Sequence, residues 1–260
     1  MDQPRPVQVA SGVSYCVCMD VRIISIGTLS AHPLWQERHP VRTGHSTTTL
    51  IRTGKANILV DPGLPGIALK ARLSERVDLT PEQVTHVFLT SFNPECRRGI
   101  EMFDKAEWLL SEKERESIGI PLAQSLAALA EMRDTAASAG QPMDEDQQGM
   151  LAVLQRDVAV LARCQAAPDS IVPGVDLFPL PGFSDGMCGL LVNEPTKTTL
   201  ICGDAIPSIE HLLEGKVLPT CANREQALES YQEAVEIADV LVLGRDNWSP
   251  SPDSRRGIGQ

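Results

Sequence analysis

Apolar and polar positions alternate in two rhythms along this chain, and the rhythm changes twice. Short runs rich in β-branched residues come first: V-R-I-I-S-I-G (21–27), T-T-T-L-I-R-T (47–53) and N-I-L-V-D (57–61). The second and third are separated only by Gly54, Lys55 and Ala56, which predicts a hairpin. The D-P-G-L-P-G that follows stops the strand and launches a helix at about residues 67–77. Pro81 in L-T-P-E-Q-V marks a helical turn, V-T-H-V-F-L-T (84–90) reads as the next strand, and residues 107–111 as another. The acidic E-K-E-R-E-S after that strand opens a helix.

From about Pro121 to Ala167 no strand pattern appears. Leu126, Leu129, Ala130 and Met132 recur at helical spacing, and so do Met150, Leu151, Leu154, Val158 and Leu161. Acidic residues at 144–146 and Arg163 near the far end agree with the dipole of a second helix. Gly140 to Pro142 divides the pair. The reading is a helical hairpin inserted at 121–167, serving as a structural cap, a lid or an arm for a homodimer. Strands return at 176–182, 187–193 and 198–204, helices at about 208–213 and 224–238, and a last strand at 240–244. Residues 1–18 carry little pattern and read as a disordered extension, with Met19 an alternative start; residues 249–260 read as a disordered tail.

Composition narrows the partners. The chain has 260 residues, enough for a continuous core in one domain over 19–248. Its 34 acidic and 23 basic residues give a net charge of −11, which argues against a nucleic-acid or anionic-membrane partner. The seven cysteines are odd in number and form no C-x-x-C pair, so a reducing, cytoplasmic setting is expected. No apolar run is long enough to span a bilayer.

Candidate chemistry concentrates where the strand at 84–90 ends in S-F-N-P-E-C-R-R-G (91–99). Polar turns at strand ends are where α/β enzymes place reactive groups. Taken with I-L-V-D-P-G, L-P-G-F-S-D-G, L-I-C-G-D-A and V-L-G-R-D, all in order and each at a strand end, this turn makes the chain from Val21 to Asp246 resemble the metallo-β-lactamase fold superfamily. The resemblance implies an α+β, four-layer αβ/βα sandwich, with the helical hairpin as an insertion. It also implies a hydrolase-like site in which zinc or iron, held by H-x-H-x-D-H and three later turns, lowers the pKa of a bound water.

Position by position, that ligand set is replaced. Ser91, Asn93, Glu95 and Cys96 stand at the motif's His, His, Asp and His; Phe183 and Arg245 stand at the two later histidines. Asp204, at the bridging aspartate, remains, as does Asp61. A guanidinium is a permanent cation and repels a dication, so Arg245 is expected to pair with Asp204, and Glu95 with Arg97 or Arg98. No cofactor is expected. The first reading is a metal-free pseudoenzyme or small-ligand module whose cleft, lined by Ser91, Asn93, Glu95, Cys96, Phe183, Asp204 and Arg245, receives a small anion. The alternative is a hydrolase with a rearranged metal site or metal-independent chemistry, with Glu95, Cys96 and Asp204 as catalytic candidates; a third is a structural scaffold. Cys96 is read as an inert thiol ahead of a nucleophile, and Glu95 as a paired carboxylate ahead of a base. His32, His39 and His45 read as loop residues ahead of a displaced metal site with Cys96 and Asp204. His86 is expected in the core and His211 on a helix surface.

Overall fold

The computed structural model describes residues 19–138 and 143–252. Two six-stranded sheets lie face to face. The first holds β1 (Asp20–Ser25), β2 (Thr48–Arg52), β3 (Asn57–Val60), β4 (His86–Leu89), β5 (Glu107–Leu110) and β6 (Gln165–Ala166), in sequence order. The second holds β7 (Ser170–Val172), β8 (Val175–Pro179), β9 (Cys188–Asn193), β10 (Thr198–Ile201), β11 (Val240–Val242) and β12 (Trp248–Pro250), again in order. The α-helices among the described residues are α1 (Gly66–Val77), α2 (Pro94–Arg97), α3 (Glu112–Ser138), α4 (Glu145–Arg163), α5 (Ile209–Glu214) and α6 (Arg224–Ile237).

Side-chain alternation explains the layers, because successive strand residues face opposite sides. In β2 to β4, Ile51, Ile58, Val60 and Phe88 point into the space between the sheets, where they meet Leu190, Val192, Ile201 and Val242. Leu50, Leu59, Val87 and Leu89 point outward and bury against Leu69 and Leu73 of α1 and Val160 of α4. On the far side, Leu200, Leu241 and Leu243 pack against Leu212 of α5 and Ala234 and Val235 of α6. Three apolar seams between four layers give the expected αβ/βα sandwich.

The hairpin of β2 and β3 forms in antiparallel register. Parallel pairs occur at β3–β4–β5 and at β10–β11, each reached through a crossover that includes a helix. Their C-terminal ends gather at one end of the sandwich, which is where the polar turns collect.

Four boundaries differ from expectation. The first inserted helix begins at Glu112 and runs through Pro121, so the hairpin continues the helix after β5; Pro121 is on the exposed side. Gln165–Ala166 closes the insertion as a two-residue strand on β5, because a short parallel partner caps the sheet edge. Ser170–Val172 pairs with β8, a strand too short to leave a period. Trp248–Pro250 pairs with β11, so order extends two residues into the expected tail. Residues 1–18 with Cys16 and Cys18, the divider at 140–142 and the stretch 253–260 lie outside the described residues.

Candidate functional site

β3 and β4 end side by side, and each end contributes one half of a buried contact. Asp61, directly after β3, takes a left-handed backbone (φ 49°), a conformation that aspartate tolerates better than most residues. Its carboxylate accepts from the Thr90 amide at 2.8 Å and the Thr90 hydroxyl at 2.7 Å. Burial raises its pKa to about 7 against the opposing pull of those two bonds, and the Asp204 charge adds to the rise.

In the second sheet β10 and β11 also end together. Asp204 follows the first and Arg245 the second. Arg245 donates from Nε to Asp204 Oδ1 at 2.7 Å and from Nη2 to Oδ2 at 2.6 Å, a bidentate fork. Its Nη1 donates to Glu95 Oε2. Arg245 is 4% exposed and Asp204 3%. Burial alone would lower the arginine's pKa, but the charge and hydrogen bonds of Asp204 outweigh it and drive the value further up. The cation is therefore permanent and enclosed.

Glu95 reaches this point because α2 starts with a cap. Asn93 Oδ1 accepts from the Glu95 amide at 3.0 Å, and Pro94 supplies the fixed first turn. Gly44 leaves the space: a Cβ there would collide with the Glu95 carboxylate. Ser46 N–H donates to the Glu95 carbonyl at 3.1 Å, which ties the loop before β2 to the same turn.

Of the residues expected at the site, Arg245, Asp204 and Glu95 are brought together, with Cys96 and Ser91 beneath them. Cys96 Sγ lies 3.8 Å from Ser91 Oγ and is 1% exposed. Burial, with the nearby Asp61 charge, raises its thiol pKa well above normal, so the flanking arginines do not activate it. Asn93 serves as the cap. Phe183 is not in the cluster; it packs, half-buried, on the α5–α6 side of the second sheet. The expected pairing of Glu95 with Arg97 or Arg98 is corrected. Arg97 instead donates to Asp157 of α4 at 2.8 Å and to the Phe92 carbonyl at 3.0 Å, and Arg98 donates to the Gly44 carbonyl at 3.1 Å. Arg245 is nearer to Glu95 because its strand end faces α2 directly. The bidentate edge of Arg245 is already filled by Asp204, so it is not free to receive an anion. Ser91, Cys96, Asp204 and Arg245 are all buried.

The histidines go elsewhere. His39 is exposed. His45 holds the strand entry, its ring 3.2 Å from the Ile26 carbonyl and its backbone bridged to Thr28. His86 begins β4 half-buried, 3.8 Å from Glu107, at the strand's open end and not in the core. His211, expected on a surface, is completely buried, because α5 turns that side toward the loop carrying His32. Neither His32 nor His45 is bonded to Cys96 or Asp204.

Sequence reasoning missed Glu114. This fully buried carboxylate on α3 accepts from the Phe92 amide at 2.9 Å and the Gly186 amide at 3.2 Å, clamping two site loops from beneath. Gly186 allows the approach, since a Cβ there would collide with the α3 backbone. The only signal was an acidic residue in a first helical turn, which looks like ordinary dipole compensation.

The fold family implies a metal, and the residues here do not fit one. A dication needs several converging neutral imidazoles or free carboxylates. Here the two carboxylates face a guanidinium, and the positions of the imidazoles hold hydroxyl, amide, thiol, phenyl and guanidinium groups. Among the described residues no group of three or more His, Cys, Asp or Glu is arranged to hold a metal.

Similarity to known proteins agrees with the fold. The family model described as the metallo-beta-lactamase superfamily matches residues 41–90. No curated protein sequence matches the chain. Among solved structures, a metallo-beta-lactamase from Thermotoga maritima is 16% identical, with TM-score 0.57, over 89% of this chain and 99% of its own. A metal-dependent hydrolase from Staphylococcus aureus is 15% identical, with TM-score 0.60, over 88% of each chain. AidC, a dizinc quorum-quenching lactonase, is 15% identical, with TM-score 0.57, over 80% of this chain and 73% of its own. In architecture the chain has the metallo-β-lactamase sandwich fold, and over residues 41–90 its sequence is similar to the metallo-beta-lactamase superfamily.

Proposed function

We propose that this chain is a metal-free pseudoenzyme on a hydrolase-like fold, in which the former catalytic centre has become a structural ion-pair core. One observation carries the reading: the buried guanidinium of Arg245 is held on one edge by Asp204 and on another by Glu95. In a hydrolase of this architecture a metal both neutralises the carboxylates and makes hydroxide at neutral pH. Arg245 does the first and cannot do the second, because it neither loses its proton nor coordinates water as a Lewis acid. The enclosed thiol of Cys96 supplies no replacement nucleophile, since the neutral form is favoured so strongly. Five free cysteines among the described residues suit a reducing cytoplasm, which is the proposed location.

The test is metal content and turnover together. Protein produced in medium supplemented with zinc and then with iron is to be measured by elemental analysis and assayed on lactone and phosphotriester substrates. Less than a tenth of an equivalent of metal and no turnover above background is the expected result. Stoichiometric metal lost on Asp204→Ala, together with turnover, would overturn the proposal and establish the hydrolase with a rearranged site.

A further inference from the structure

The far side of the loop joining β1 to β2 is fastened at a buried knot. His32 Nε2 lies 3.0 Å from Ser208 Oγ, His211 Nδ1 lies 2.8 Å from the same oxygen, and that hydroxyl donates to Glu210 Oε2 at 2.8 Å. His32 and Ser208 are each 3% exposed and His211 is 0%. Trp35 stacks on His32 at 4.1 Å and donates to Glu210 Oε1 at 3.2 Å.

Counting protons fixes the state of this knot. A serine hydroxyl has one hydrogen and two acceptor sites, and an ionised carboxylate only accepts. With the Ser208 hydrogen committed to Glu210, both imidazoles must donate to Ser208 Oγ. His32 is then the Nε2–H tautomer and His211 the Nδ1–H tautomer. Their other nitrogens, His32 Nδ1 and His211 Nε2, are bare lone pairs, and both are buried with no hydrogen-bond partner. Each is a proton acceptor with nowhere to place the resulting N–H.

The loop beyond the knot covers the ion-pair core. Gly44 abuts the Glu95 carboxylate, and its carbonyl is held by Arg98. We propose that residues 29–45 form a proton-released lid. Neutral His211, joined through Ser208 to His32 and Glu210, holds it over Glu95 and Arg245, and a proton taken up at His211 frees it.

The charges facing the knot set the direction. The loop supplies Glu37, which accepts from the His32 amide at 2.6 Å and pairs with Arg42. Helix α5 supplies Glu210 and Glu214, Lys216 follows it, and Asp246 of the β11–β12 turn accepts from the Ile209 amide at 3.1 Å. From α6, the Tyr231 hydroxyl donates to the Leu212 carbonyl at 2.6 Å. The carboxylates favour a charged imidazole, but burial outweighs them at His211 and pushes its pKa down to about 4. The closed lid therefore keeps His211 neutral. An open lid would return it toward its ordinary value of about 6.5, so falling pH through that interval favours opening.

Fluorotryptophan labelling tests this in the full chain, where Trp35, Trp108 and Trp248 are the three tryptophans. The Trp35 fluorine signal should move from its closed to its open position between pH 7.5 and pH 4.5, while that of the core residue Trp108 stays fixed. His211→Asn and His32→Gln keep a donor for Ser208 and cannot take up a proton, so the double variant should lose the movement. No movement in the wild type, or equal movement in the double variant, overturns the proposal. Should the double variant not fold, nitrogen NMR of wild-type histidines at pH 7.5 decides instead. The Nε2–H form at His32 and the Nδ1–H form at His211 are required, and the opposite tautomers, or a charged ring at either position, overturn it.

Discussion

Arg245 is an interior cation with three nitrogens committed to carboxylates, and its removal is the most informative change in the molecule. Arg245→Met would leave Asp204 buried with no counter-charge and Glu95 half so. Breaking a buried pair from one side costs about 3–5 kcal/mol, most of it the unpaired charge left behind. Removing both charges together, as Arg245→Met with Asp204→Leu, should cost much less than the single change; urea unfolding of the wild type and the two variants checks this. If the single and double variants are equally unstable, the pair is not what holds the turn together. Cys96 gives a second residue-level test. Its thiol is enclosed and pushed toward the neutral form, so peptide mapping after alkylation at pH 8 should find Cys221, half-exposed, labelled well before Cys96.

Individual elements meet at the turn after β4, and each is tied there by a charge. Helix α4 of the insertion reaches it through Asp157 to Arg97, which is itself 6% exposed and lies 4.1 Å over the Phe92 ring. Helix α3 reaches it through Glu114. The inserted hairpin is thus fastened directly beneath the ion-pair core. A double-mutant cycle on Arg97→Ala and Asp157→Ala should return a coupling of about 1–3 kcal/mol. A coupling near zero would mean that the insertion rests there by apolar packing alone. The two ties were legible to different degrees. The amphipathic rhythm from Met150 to Leu161 placed α4 on the sheet, whereas the partner of Asp157 sits 60 residues earlier in the chain and no local pattern names it.

For the whole molecule, two buried groups titrate in opposite senses. Asp61 is raised from 3.8 to about 7, so the folded state binds more protons than the unfolded one across that interval, and its contribution is lost as pH rises toward 7. His211 is lowered from 6.5 to about 4, so the unfolded state binds more protons, and its contribution is lost as pH falls from 6.5 to 4. Each is worth on the order of 3 kcal/mol at the end of its range. Over pH 4.5 to 6.5 the two slopes oppose, and the wild type should show a nearly flat contribution from this pair. His211→Asn should tilt the profile so that stability falls with rising pH, and Asp61→Asn should tilt it the other way. Chemical denaturation at pH 4.5, 5.5 and 6.5 separates these outcomes; parallel profiles for all three proteins would count against both assignments.

Period-two and period-3.6 patterning, with turn residues at the right offsets, was sufficient by itself to specify nine of the strands and five of the α-helices, with their order. Burial of alternate side chains dictates where a strand can lie, and that information is local. The resemblance placed Arg245 and Asp204 at one site, and their charges named them as partners, since an unpaired ion in that position would be too costly. The same reading paired Glu95 with Arg97 or Arg98 where the structure has Arg245, and it did not foresee that His211 would turn inward onto His32 and Ser208, or that Glu114 would clamp two loops. Those outcomes depend on distances between segments 22 to 179 residues apart. Only packing of the four layers sets such distances, because no side chain carries in its neighbours along the chain a record of what it will meet across a fold.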